Sequence, residues 1–280
     1  MFATPRMTRG AALTTTEALS ALTHLVGSLE VMSNKGDQRN NTLMDWELVR
    51  DEYAWAPRPV RRVLDFLGKP RVNTAVHGLR IAVAASLLVP GTSRHHRAAA
   101  GGFLALSAVA TNPQQHFATD GSDQVAFAVQ SVAAVARLGE DQPKVVDACL
   151  WFIALQSGLA YCASGLTKLA GPPWRSGEAL AMVMRTESYG DEWAYRMTQR
   201  HPRLATWVSH LVIALECGFP VVFLARGRLT VPVLTATGTF HLANAQLMGL
   251  SRFVWAFLST YPSLLYVTQR PGAVPGGGAR

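Results

Sequence analysis

Twenty consecutive residues, Ala148 to Thr167, carry no formal charge, and a lysine, Lys168, stands where the run ends. About 20 apolar or neutral residues are enough for a helix to cross the hydrocarbon of a bilayer. This stretch therefore predicts a membrane-spanning helix over about 145–170. On that helix Ser157, Tyr161, Ser164 and Lys168 are spaced 4, 3 and 4 apart and share one face. Leu150, Ile153, Leu159 and Cys162 flank it and suit packing against lipid or protein. Gly171 suits a C-terminal cap, Pro172-Pro173 cannot continue the helix, and Trp174 suits the interface.

A lysine at the end of such a helix has two uses. It can snorkel, carrying its ammonium to water and lipid phosphate. Alternatively it can do chemistry, because desolvation disfavours the charged form of an amine and leaves it available as a general base.

The rest of the composition agrees with a membrane setting. Only 16% of the 280 residues are charged, 49% are hydrophobic, and mean hydropathy is +0.14. Soluble domains usually carry about 25% charged residues. The formal charge is +8 and the isoelectric point about 9.9. The arginines lie between apolar runs, so they suit anionic lipid rather than nucleic acid. Cys149, Cys162 and Cys217 all lie in apolar runs without a CxxC pair, which predicts neither disulfide nor metal. No apolar core follows the arginines of Met1–Gly10, so insertion is expected to use internal segments.

Residues 1–57 read as a polar N-terminal region with amphipathic helices. One covers Ala18–Leu29, with Leu19, Leu22, Val26 and Leu29 on one side, and Asn34–Thr42 reads as a loop. Trp46, Trp55, Arg58, Arg61, Arg62 and Phe66 form a basic, aromatic stretch that fits either a helix in the headgroup region or a solvated surface helix. Residues 58–268 form the membrane domain. Its expected spans are 73–91, 98–110, 120–136, 145–170, 204–225 and 229–251, with one more pass or a re-entrant piece at 253–267. Arg80 interrupts the first, so either that span starts late or Arg80 is paired inside a bundle. Gly101 and Gly102 suit close helix approach, and Asp120 or Ser122 suits the cap of the third span. Between 171 and 203, helices are expected at Gly177–Arg185 and Glu192–Arg200. Residues 269–280 are Pro/Gly-rich and read as a disordered tail. Basic residues occur in the loops near both 91–98 and 137–144, so they leave orientation open.

Three polar constellations fall at membrane depth. They are Lys168 with Ser164 and Tyr161; Thr237, His241, Asn244 and Met248 on one later helix face; and Glu216 beside Gly218 and Pro220. Ionisable groups in a membrane usually face a bundle interior and pair with one another. Each has a plain structural reading, a core histidine or a helix tie, beside the chemical one. No zinc ligand set, P-loop or dinucleotide glycine motif is present.

Two motifs carry a resemblance. Ser164-Gly-Leu-Thr-Lys-Leu169 with Trp174 and Gly177 resembles the lysine motif of vitamin-K-dependent γ-glutamyl carboxylase and its bacterial relatives, the HTTM (horizontally transferred transmembrane) proteins. Phe240-His241, Asn244, Gln246-Leu247 and Gly249 resemble the second motif of that family. The resemblance spans about residues 72–268. It implies an all-α, multi-pass integral membrane helical bundle of five to seven transmembrane helices in the cell membrane. It also implies Lys168 as the base that deprotonates a reduced, vitamin K-hydroquinone-like quinone, with O₂ and CO₂ as co-reactants. His241 and Asn244 then match catalytic-motif positions, and Tyr161, Ser164, Trp174 and Glu216 are the candidate cofactor-binding residues. The chain departs from the carboxylase in two ways. Thr167 stands where that enzyme has a second lysine, and the enzyme's large domain after the membrane region has no counterpart, so a peptide or protein substrate would need a separate binding subunit. The alternative class is a non-catalytic membrane factor for peptide maturation, export or immunity. A small-solute transporter is disfavoured because no inverted repeat or paired broken helices are visible.

Overall fold

The computed structural model describes residues 6–33, 45–115, 119–225 and 227–268. The expected loop at 34–42 and the tail at 269–280 lie outside them. The described residues are helical, without a strand among them, and fall into two compact units. The first comprises Leu13–Cys149 and Trp255–Ser259; the second comprises Met1–Ala12, Leu150–Val254 and Thr260–Arg280.

The first unit holds most of α1 (Arg9–Ser33), then α2 (Trp46–Val49), α3 (Arg58–Leu67), α4 (Pro70–Leu88), α5 (Arg94–Thr111) and α6 (Gly121–Leu138). Residues 45–57 belong to it, tied to α3 by the Trp46 indole, which donates to Asp65 at 2.9 Å. Asp120 caps α6 by accepting from the Ser122 amide at 2.8 Å, and Asp123 reciprocates by accepting from the Asp120 amide at 3.0 Å. Gly101 gives α5 its close approach to α6. A Cβ there would lie 3.0 Å from Gln130 Nε2 and 3.2 Å from Ala134 Cβ, whereas one at Gly102 would meet nothing within 4 Å. The apolar core of this unit is Ala21, Ala84, Leu87, Ala100 and Leu104.

Helix α1 corrects the sequence reading. It is longer than Ala18–Leu29, and its buried side carries polar residues beside Ala12, Leu13 and Ala21. Thr16, Glu17, Ser20, Thr23, His24 and Ser28 are buried, whereas Leu19, Leu22 and Val26 are only partly covered and Leu29 is exposed. The physical reason is charge pairing. Glu17 Oε2 accepts from Arg97 at 2.5 Å and from Arg137 at 2.9 Å, and the three side chains are almost fully buried. Arg137 also donates to Thr14 at 2.9 Å and to Glu140 at 3.1 Å. A third buried cation, Arg80, donates to Ser28, Ser107 and the Leu104 carbonyl, and contacts His24 Nδ1 at 3.1 Å. Of the two alternatives for Arg80, the structure takes burial inside the bundle, and α4 starts early at Pro70 with Arg80 in its middle.

Helix α7 (Pro143–Ala170) belongs to the first unit up to Cys149 and to the second from Leu150. Among the described residues it is the one helix long and apolar enough to cross a membrane. The second unit continues with α8 (Pro172–Ser176), α9 (Glu178–Met184), α10 (Glu192–Arg200), α11 (Pro202–Cys217), α12 (Val221–Leu224), α13 (Thr230–Met248), the start of α14 (Ser251–Leu258) and α15 (Tyr261–Thr268). The helices expected at Gly177–Arg185 and Glu192–Arg200 are present as α9 and α10. Pro172 and Pro173 end α7 and open α8, where a missing amide hydrogen costs nothing. The expected span at 204–225 breaks at Gly218–Pro220 into α11 and α12. The stretch 253–267 forms two short helices instead of one pass.

Candidate functional site

The buried stripe of α7 in the second unit matches its polar spacing. Ser157 and Tyr161 are buried, and Ser164 and Lys168 are half-buried, while Leu155, Leu159, Leu166 and Leu169 on the other side are exposed. Two polar clusters hang from this stripe.

The first is centred on Lys168. Its Nζ donates to Ser164 Oγ at 2.5 Å, to Glu216 Oε1 at 2.9 Å and to Glu216 Oε2 at 2.7 Å. An ammonium has three hydrogens to give, so this set uses all of them. The ammonium also lies 5.3 Å from the centre of the Trp174 ring, a favourable face for a cation. Lys168 is therefore turned to a carboxylate inside the protein, which is not the geometry of a snorkelling lysine. Glu216 is buried near the end of α11, and Gly165 is what lets that end of α11 come close. A Cβ on Gly165 would lie 2.7 Å from Cys217 N and 2.8 Å from Cys217 Sγ. The motif glycine Gly177 serves the same neighbourhood. It takes φ +85° between α8 and α9, and a Cβ there would be 2.3 Å from Thr206 Oγ1 of α11.

The second cluster lies about two to three turns earlier on α7. Tyr161 Oη contacts His241 Nε2 of α13 at 2.7 Å and Tyr261 Oη at 3.4 Å. Tyr261 Oη contacts Thr237 Oγ1 at 2.7 Å. Ser157 contacts Thr260 at 3.0 Å. Phe219 stacks on Tyr161 with centroids 4.1 Å apart, and Phe253 lies parallel to His241 at 6.5 Å.

Of the residues singled out from sequence, Lys168, Ser164, Glu216 and Trp174 come together, and Tyr161 meets His241. Asn244 is half-buried one turn beyond His241 and joins neither cluster through its side chain. Gly249 of the second motif has φ +69° and closes α13 as a left-handed cap. Tyr261, Phe219 and the contact role of Gly165 were not identified from sequence. Tyr261 had a signal, a phenol inside an apolar segment, but a glycine's neighbour across a bundle has none. Cys149, Cys162 and Cys217 are free thiols, and the described residues hold no cluster able to bind a metal. Comparison with known protein families, with curated proteins and with solved structures finds no match.

Gly165 supplies a direct test of how the lysine pair is held. Gly165→Ala should destabilise the protein by about 1–3 kcal/mol, the usual cost of overpacking. Gly102→Ala, with open space around it, should be neutral or stabilising by up to ~1 kcal/mol. Melting of the purified variants measures both. Equal effects at the two sites would remove Gly165 from this role.

Proposed function

We propose that the chain is a multi-pass integral membrane protein of the HTTM type, in which Lys168 acts as a general base toward the acidic hydroxyl of a reduced quinone. The observation that carries the membrane part is inverted polarity. The buried face of α1 carries Thr16, Glu17, Ser20, Thr23, His24 and Ser28 beside a few small or apolar residues, while large apolar side chains point outward, among them Leu106 at 73%, Leu211 at 67% and Leu159 at 63% exposure. In water this arrangement is costly on both faces. In lipid it is what the solvent selects, because buried polar groups then find partners and outward leucines meet hydrocarbon. The apolar length of α7 adds to it.

The chemical part rests on the Lys168 cluster. A neutral amine at Nζ would take the proton, and the resulting ammonium is the species that Glu216 and Ser164 hold at 2.5–2.9 Å. Glu216 stabilises the product of proton transfer and offers a route for the proton to leave. The residues nearby are of the types that hold an aromatic cofactor, but in this structure Tyr161, Tyr261 and His241 bond to one another and Phe219 and Phe253 stack on them, so a bound quinone would have to replace some of these contacts. When bound, a reduced quinone would supply the acidic hydroxyl and, with O₂ and CO₂, the oxidising and carboxylating chemistry. A second reading has an observation of its own. Because all three ammonium hydrogens are satisfied, the Lys168–Glu216 pair also suits a helix tie in a non-catalytic membrane factor.

The membrane part predicts that the protein sediments with membranes and stays there through high salt and alkaline carbonate. Recovery as a monodisperse protein without detergent would overturn it.

A further inference from the structure

Away from the lysine site, the first unit carries a cleft of about 330 Å³ between α2 and α3, lined by Trp46, Arg50, Tyr53, Arg58, Arg61 and Arg62, with Asp51 and Asp65 at its wall. One arginine is already committed. Arg50 pairs with Asp65 at 3.3 Å and with Glu47 at 3.6 Å. Asp65 is fixed from the other side by the Trp46 indole at 2.9 Å. That hydrogen bond, together with the charges of Arg50 and Arg61, holds the Asp65 carboxyl below its usual range against a smaller effect of burial. The indole itself is buried against Gly68, where a Cβ would lie 2.4 Å from Trp46 Cγ. The Asp65 side of the wall is thus rigid and its carboxylate is used up, which leaves the exposed Asp51 as the other acid among the lining residues.

What remains is net cationic, three arginines against Asp51. Among the described residues Arg58, Arg61 and Arg62 form no ion pair, and all three are exposed. The first turn of α3 has no acidic residue to oppose them. The opposite side of α3 is apolar and also exposed: Val60, Val63 and Phe66, spaced three apart, with Trp55 just before the helix. A solvated surface helix has no use for that second face. A helix whose one side meets acyl chains and whose other side meets phosphate uses both.

We infer that this cleft holds the phosphate of an anionic phospholipid, with Arg58, Arg61 and Arg62 on the headgroup and Val60, Val63 and Phe66 among the acyl chains. Guanidinium forks match phosphate oxygens in pairs, and Tyr53 stands by as a further donor. The inference rests on the membrane reading above, and it goes beyond that reading by naming a lipid class and a seat for it.

The test uses the full chain in a neutral detergent. Phosphatidylglycerol, phosphatidylcholine and inorganic phosphate are each titrated, with bound lipid read by native mass spectrometry. Phosphatidylglycerol should bind saturably, and phosphatidylcholine and inorganic phosphate should bind far more weakly. A triple Arg58→Gln, Arg61→Gln, Arg62→Gln variant should bind phosphatidylglycerol at least about tenfold more weakly than a control with the same charge loss elsewhere, Arg185→Gln, Arg200→Gln, Arg203→Gln. Equal loss in the two variants would mean diffuse attraction and would overturn the site. Inorganic phosphate binding as tightly as the lipid would overturn the lipid assignment. Carbonate extraction of the same variants keeps the two ideas apart, because losing the lipid site leaves membrane integration unchanged.

Discussion

Lys168→Arg is expected to insert and accumulate like the wild type and to consume a reduced quinone about 10²–10⁴-fold more slowly, the range lost when a positioned general base is removed. The variant is informative because arginine preserves so much. It keeps the charge, it reaches a similar depth, and its planar fork can meet both oxygens of Glu216 as Lys168 Nζ does at 2.9 and 2.7 Å. What it cannot do is release its proton at accessible pH. If the pair is only a tie between α7 and α11, arginine should serve. If Lys168 is the base, arginine must fail, and Lys168→Ala must fail as badly. Turnover of reduced quinone by purified protein, or rescue of a deletion phenotype, reads the difference. Full function of the arginine variant would end the base hypothesis and leave the membrane-factor reading standing.

The second large effect belongs to the first unit and to stability. Glu17→Gln should lower stability by about 3–5 kcal/mol, because it leaves the buried guanidiniums of Arg97 and Arg137 without their shared carboxylate. The double change Arg97→Leu with Arg137→Leu, placed on top of Glu17→Leu, should recover much of that loss, since an apolar cluster does not have to solvate a charge. Thermal melting in detergent measures both. A Glu17→Gln variant as stable as the wild type would show that the triad contributes nothing. Asp141→Asn offers the contrast. Its ion pair with Arg94 lies at the surface, and its removal should hardly register.

The sequence carried the helical class and much of the site, for identifiable reasons. Apolar runs bounded by Gly and Pro marked α5, α6 and α7 within a few residues. The 4, 3, 4 spacing of Ser157, Tyr161, Ser164 and Lys168 became a buried stripe because helix geometry leaves it no choice. The pairing of Lys168 with Glu216 follows from the cost of leaving either alone. Where hydropathy was the guide, the reading failed. The leucine stripe of α1 marked an amphipathic helix but gave no sign that Glu17 and His24 would be buried, since their partners lie on other helices far along the chain. Gly165 was invisible in its role for a related cause: it matters only through a neighbour that folding brings to it.

That inner face of α1 sets a condition on biosynthesis. Glu17 leaves the ribosome 80 residues before Arg97 and 120 residues before Arg137. Until both have been translated, α1 has a buried-to-be carboxylate and nothing to neutralise it. A translocon sorting segments one at a time by hydrophobicity would release α1 to water or to the membrane surface. Its final seat becomes affordable only after α5 and α6 exist. If the chain enters a membrane as proposed, integration and tertiary folding of this helix would not be successive stages. Helix α1, made before α5 and α6, takes its buried place only after them.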